Sequence, residues 1–130
     1  MWELTKELRF EAAHKLAHHD GKCARLHGHS WVARIIVRVG VLHESGPQTN
    51  MGLDYALIKD AYSTIRDQYL DHHYLNETLG TDSPTSEYVA QWLFDALAPK
   101  FRSVLHFVGL VAVEVDETCT SSCRYTREAL

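Results

Sequence analysis

The sequence predicts an α+β fold: a four-stranded antiparallel sheet with two helices on one face, in the order ββααββ. Three observations carry this expectation. Apolar residues alternate with polar ones from Trp2 to Phe10 and again from Trp31 to Val39, the period of a half-buried strand. Two later stretches repeat apolar residues at i and i+4, the period of a helix with one apolar face. A third alternating run, from about Leu105 to Glu117, then returns the chain to strand.

In the first strand Trp2, Leu4, Leu8 and Phe10 share one face, interrupted only by Lys6, and Glu3, Thr5, Glu7 and Arg9 share the other. Residues 11–26 have no clear period and read as a loop. Trp31, Ala33, Ile35, Val37 and Val39 form the apolar parity of the second strand, and His27 and His29 continue that parity backwards. The turn-rich segment 41–52 leads to Asp54, a helix cap. Leu57, Ala61, Ile65 and Tyr69, with Ile58 and Tyr62 beside them, mark a helix ending near Leu70. A second helix opens around Ser83-Pro84-Thr85 with Glu87 in its first turn. Val89, Leu93, Ala96 and Leu97 line its core face, and Pro99 helps stop it. A short strand from Cys123 to Thr126 closes the order.

A chain of 130 residues is expected to form one domain, residues 1–130, with a core of its own. A net charge of −4 without a run of Lys or Arg argues against a nucleic-acid surface. No apolar stretch reaches transmembrane length, and MWELTKELRF is not a signal peptide. Three cysteines do not make a complete disulfide framework, so a reducing cytoplasm is expected. A small open sheet has two free edges, which favours a homo-oligomer.

Chemistry concentrates in CARLHGH, residues 23–29. Residues two apart on a strand face the same way, so His27 and His29 offer two imidazoles to one metal ion. His14, in FEAAH, brings a third if a paired strand returns it to the same place. Three imidazoles and an open fourth position describe a catalytic zinc site; a Cys23 thiolate in that position would close it into a structural one. Cys23 is thus either the fourth ligand or a free nucleophile or base beside the metal.

Taken together and in order, CARLHGH, LDHHYLN, SPTSE and VDETCTSSC resemble the 6-pyruvoyltetrahydropterin synthase superfamily over nearly the whole chain. The four-residue spacing from Cys23 to His27 resembles the bacterial branch of that family, the 6-carboxytetrahydropterin synthases of queuosine biosynthesis. The resemblance implies a tunnelling (T) fold, in which units join edge to edge into a β-barrel. Two trimeric barrels would stack into a hexamer with sites at subunit interfaces. It implies a zinc-dependent carbon–carbon lyase that converts 7,8-dihydroneopterin triphosphate to 6-carboxytetrahydropterin, acetaldehyde and triphosphate. The sister activity, 6-pyruvoyltetrahydropterin synthase, is the near alternative; a non-catalytic protein with a Cys23-closed structural zinc site is the distant one.

The roles implied for residues of this sequence each have a physical reason. Zn2+ on His14, His27 and His29 acidifies the hydroxyls of the substrate side chain. Cys23 acts as general base, its thiol acidified by the metal or a protonated imidazole. Asp71 orients His72 in a proton relay. Glu117 anchors the pterin, since a carboxylate accepts two hydrogen bonds from a ring amide and an exocyclic amine. Thr85 and Ser86 line the pterin pocket from a helix start, where they also suit capping. Local chemistry alone reads Asp71 as a partner of His72 at a helix end, and Glu117 equally well as an exposed strand-end residue. Cys119 and Cys123 read as packed thiols. His18, His19, His43, His73 and His106 are not expected among the zinc ligands; Lys15, Lys22 and Arg25 are near enough in sequence to be candidates for the triphosphate, with surface solvation the default reading of each.

Overall fold

The computed structural model describes residues 1–102 and 108–127. Strand β1 (Trp2–His14) runs antiparallel to β2 (His27–Val39) along its whole length, with Leu8 opposite Ala33, Phe10 opposite Trp31 and His14 opposite His27. Helix α1 (Tyr55–Ile65), a two-residue strand β3 (His73–Tyr74), a single-turn helix α2 (Leu75–Thr78) and helix α3 (Ser86–Arg102) follow. Strands β4 (Val108–Thr118) and β5 (Ser121–Thr126) complete the described chain.

Among the described residues the sheet has five strands in the order β3-β1-β2-β4-β5, and β3 pairs parallel to β1. The expected four-stranded antiparallel sheet and its ββααββ order are corrected accordingly. The extra strand is two residues long, too short for any alternating pattern to announce it. Strand β1 also runs four residues beyond Phe10, so residues 11–14 are strand rather than loop. The predicted start of the third long strand, Leu105–Phe107, lies outside the described residues.

One sheet face holds the core. Leu8, Phe10 and Ala12 of β1, the odd-numbered residues from Trp31 to Val39 of β2, and Val113 and Val115 of β4 pack against the helices. Burying each large apolar side chain here contributes roughly 1.5–3 kcal/mol. The opposite face is a ladder of charge: Arg38 meets Glu3, Arg34 meets Glu7 and Asp116, and Arg124 meets Glu114.

The helices depart from their predicted boundaries for local reasons. Asp54 caps α1 as expected, its carboxylate accepting from the Ala56 amide at 2.9 Å. The buried positions are Ile58, Tyr62 and Ile65, while Leu57 is exposed. A π-helical turn, Arg66–Leu70, follows, with the Asp71 amide donating to the Arg66 carbonyl at 2.8 Å. That extra residue moves the next core position from Tyr69 to Leu70. Thr85, rather than Ser83, caps α3: its hydroxyl accepts from the Tyr88 amide at 3.1 Å. Pro99 lies inside α3, which runs on to Arg102. Its missing N–H falls in the last turn, where the loss of one helical hydrogen bond is tolerated.

Within the described residues, the ladder on the outer edge of β1 is limited to β3, opposite Ala12 and Ala13. Among the described residues, most of that edge and the outer edge of β5 carry no further strand. Among the described residues no helix is long and apolar enough to cross a membrane.

Candidate metal centre and adjoining cleft

The register of β1 and β2 builds the site. His14 lies opposite His27 and Ala12 opposite His29, so all three imidazoles project from the helix-covered face at one end of the sheet. Their rings meet edge to face, with centroids 4.6 Å (His14–His27), 5.2 Å (His14–His29) and 4.8 Å (His27–His29) apart. Trp31, two residues farther along β2, floors the group with its ring centroid 5.0 Å from that of His14 and 5.6 Å from that of His29.

Glu117 supplies a fourth corner. The ligating atoms of His14, His27, His29 and Glu117 all lie within 4.8 Å of one another, and the set could hold a metal ion. Glu117 Oε1 is 2.9 Å from His29 Nε2 and 3.5 Å from His14 Nε2. Among the described residues neither Nε2 has a hydrogen-bond partner, although both are buried. The approach of Glu117 is therefore close without the alignment that an N–H···O bond needs.

Two of the imidazoles have their tautomers set from behind. His14 Nδ1 donates to the Pro84 carbonyl at 2.8 Å and His27 Nδ1 donates to the Arg25 carbonyl at 2.6 Å. With the proton on Nδ1, the Nε2 lone pair is free, the arrangement that metal-binding histidines share. Burial pushes the His14 imidazole below its ordinary pKa, against the hydrogen bond to Pro84, which raises it. Burial thus favours the neutral, ligating form. Two orphaned buried nitrogens, two fixed tautomers and a nitrogen–oxygen donor set all fit Zn2+.

Cys23 sits in a single 3-10 turn, Lys22–Ala24, and is half-buried. The Leu16 amide donates to its carbonyl at 2.8 Å, which tethers the turn two residues beyond His14. The thiol is not part of the four-residue group. Thr85 and Ser86 lie at the start of α3, next to the Pro84 carbonyl that holds His14. The Thr85 hydroxyl caps the helix and the Ser86 hydroxyl donates to Glu87 at 2.8 Å.

Asp71 and His72 stand apart from the cluster, on the outer edge of β1. Asp71 accepts from the Glu11 amide at 2.8 Å and contacts His72 Nδ1 at 2.9 Å. The His72 amide donates to the Glu11 carbonyl at 2.6 Å, and its backbone holds φ at 60°. A non-glycine residue in that region is strained, and here the Glu11 clamp enforces it. The His72 side chain is 80 % exposed.

The Glu11 amide hydrogen bond, with the His72 contact, holds the Asp71 carboxyl below its ordinary range against a smaller desolvation effect. A lowered folded-state pKa contributes stability that is complete above the unfolded value, about pH 4, and lost as pH falls through the folded one. Asp71→Asn is therefore expected to cost about 1 kcal/mol at neutral pH. It should also flatten the decline of stability below about pH 4. Urea unfolding across that range checks both; equal slopes for the two proteins would remove Asp71 from the account.

An open cleft runs from His29 and Glu117 onto the charged face of the sheet, lined also by Arg9, Ser30, Arg34, Asp116 and Cys119. Arg34 pins its rim through a two-pronged contact with Asp116, at 3.0 and 2.9 Å. Sequence reasoning missed Arg9, Ser30, Arg34 and Asp116; the only signal was that Arg34 and Asp116 fall on the polar parity of their strands. Cys119, read as packed, is exposed in the turn between β4 and β5, and Cys123 is the half-buried one.

Fold and site together define a class: a small α+β domain with a metal-competent imidazole cluster at the end of its sheet. A profile of the 6-pyruvoyl tetrahydropterin synthase family matches residues 3–128, and the chain belongs to that family. It is an enzyme of the lyase type. A curated relative from Synechocystis, 6-carboxy-5,6,7,8-tetrahydropterin synthase, is 46% identical over 96% of this chain and 93% of its own. The protein of that name from Bacillus subtilis is 31% identical over 95% of this chain and 84% of its own. The structure of Caenorhabditis elegans 6-pyruvoyl tetrahydropterin synthase superposes with a TM-score of 0.78 at 28% identity, covering 98% of this chain and 96% of that one.

Proposed function

We propose that this chain is a zinc-dependent lyase that converts 7,8-dihydroneopterin triphosphate to 6-carboxy-5,6,7,8-tetrahydropterin, acetaldehyde and triphosphate, a step toward queuosine. One observation carries the reading: the cluster of His14, His27, His29 and Glu117 opens onto a cleft in a chain 46% identical to a 6-carboxy-5,6,7,8-tetrahydropterin synthase.

His14, His27 and His29 would hold a zinc ion, which would supply Lewis-acid polarisation of the substrate's hydroxyls. Cys23, tethered beyond His14 and outside the ligand group, takes a proton from the side chain. Asp71 orients His72 through Nδ1, leaving Nε2 free to exchange that proton. Glu117 holds the ring amide and exocyclic amine of the pterin, with Thr85 and Ser86 at the start of α3. The acceptor capacity of a carboxylate matches those two donors.

The exposed His72 ring on the open edge of β1 suits a site completed by a second copy of the chain. We extend the proposal to a homo-oligomer in which sheet edges pair into a barrel, as a hexamer of two stacked trimers. The substrate is a small molecule, with no nucleic-acid or membrane partner, and the setting is the cytoplasm.

The test is product analysis by mass spectrometry after anaerobic incubation of zinc-loaded protein with 7,8-dihydroneopterin triphosphate. Acetaldehyde together with 6-carboxytetrahydropterin is expected. A 6-pyruvoyl product without acetaldehyde would transfer the chain to the sister activity, and no turnover by folded, metal-loaded protein would overturn the lyase reading.

A further inference from the structure

We propose that Glu117 is the resident fourth ligand of the metal in the substrate-free enzyme, and that it leaves this position when a pterin enters. The carboxylate then serves the metal and the ring in turn. This rests on the zinc-site reading above and goes beyond it, because that reading gives Glu117 to the ring alone.

Distances support it first. In a tetrahedral zinc site with bonds of about 2.0–2.1 Å, neighbouring ligand atoms lie about 3.3 Å apart. Glu117 Oε1 is 2.9 Å from His29 Nε2 and 3.5 Å from His14 Nε2, on either side of that spacing. Both nitrogens are buried without a hydrogen bond. His14 Nε2, with the ring proton on Nδ1, has none to donate, and a carboxylate held for hydrogen bonding would align with His29 Nε2; one placed to share an ion with them need not.

Chain geometry supports it second. Glu117 follows Val113 and Val115 on the core-facing parity of β4, so its side chain starts on the imidazole side. The β4–β5 register shifts between Asp116 and Thr118, and such a bulge re-aims the side chain it contains. The carboxylate also borders the cleft, with 26 % of its side chain exposed. Of the described residues, it alone belongs to the metal group while offering a carboxylate to the cleft. Cys23, the other candidate for the fourth position, is outside the group.

The consequence is a gate on the metal. With Glu117 bound, the site holds four protein ligands. A pterin ring draws the carboxylate away through two hydrogen bonds, so the fourth position opens only when substrate is present.

The experiment uses full-length protein loaded with Co2+ in place of zinc and read by its visible spectrum, together with competitive zinc titration. Wild type is expected to give a four-coordinate cobalt spectrum without a thiolate charge-transfer band. That spectrum should change on adding the oxidised pterin neopterin. Glu117→Gln is expected to bind zinc more weakly by at least the roughly 10–100-fold that losing an outer-shell partner costs. Its cobalt spectrum without ligand should differ from that of wild type. Glu117→Asp, a shorter carboxylate, should fall between the two. Wild-type zinc affinity and an unchanged cobalt spectrum in Glu117→Gln would overturn the proposal. So would a thiolate band in wild type that Cys23→Ala abolishes, or a wild-type spectrum that neopterin leaves unchanged. These readouts do not depend on turnover, so a failed product assay with an intact cobalt response would strike the lyase reading and spare the ligand exchange.

Discussion

Cys23→Ala is expected to keep its zinc and lose its turnover. The donor atoms that could hold a metal ion belong to His14, His27, His29 and Glu117, and the thiol is not among them. Removing it leaves that set whole. The turn around Cys23 is also held by backbone, through the Leu16 amide and the Cys23 carbonyl, so alanine preserves its position. A general base contributes roughly 10²–10⁴-fold to rate, and in the role proposed for Cys23 the loss should fall in that range. At about 1.4 kcal/mol per tenfold this is about 3–5 kcal/mol of transition-state stabilisation. Bound zinc per chain and kcat, measured on the same preparation, give the answer. A variant that loses metal in proportion to activity would make Cys23 a ligand and return the closed, structural site to consideration.

The imidazole end of the sheet was legible in sequence because strand parity is a strict rule. His27 and His29 share the parity of Trp31 through Val39, and the structure places all of them on the core side. His14 was legible only as a possibility. Ala12 and Ala13 carry too little contrast to extend the alternation of β1, so residues 11–14 read as loop although their pairing with β2 continues to His27. Strand β3 left no trace because two residues have no period. In α1 the i, i+4 repeat put Leu57, Ala61, Ile65 and Tyr69 on the apolar face with Ile58 and Tyr62 beside them, and packing selected Ile58, Tyr62 and Ile65 over Leu57. The π turn after it, with its five-residue step from Ile65 to Leu70, depends on tertiary packing rather than propensity.

Glu117 divides the same way. Its parity announced a carboxylate turned toward the apolar face, where a partner is needed. Which partner depends on a side-chain conformation and on the bulge beside it, and neither is written in a residue pattern. Asp71 and His72 were found as neighbours in sequence, but their clamp on Glu11 is a contact across 60 residues. Such contacts appear only once the chain has folded.

Trp31→Ala is expected to be the most damaging single change to the fold, and the damage should reach the metal. Trp31 is fully buried, stacks on Phe10 with ring centroids 5.7 Å apart, and donates its indole N–H to the Ala12 carbonyl at 3.2 Å. Its edge-to-face contacts with His14 and His29 make it the surface against which two of the imidazoles rest. Truncating a buried tryptophan typically costs about 3–5 kcal/mol, from lost burial and the cavity left behind. A domain stable by about 5–15 kcal/mol would lose a large part of its margin. Trp31→Phe keeps most of the packing and loses the hydrogen bond, so its cost should be smaller, about 1–3 kcal/mol. Because His14 and His29 lose a shared wall, Trp31→Ala should also bind zinc more weakly than Trp31→Phe. Urea unfolding of the metal-free proteins at equal concentration, followed by zinc titration of each, separates the two effects. A Trp31→Ala protein within about 1 kcal/mol of wild type would mean that the helices can close over the gap. The imidazole geometry would then be set by the β1–β2 register alone.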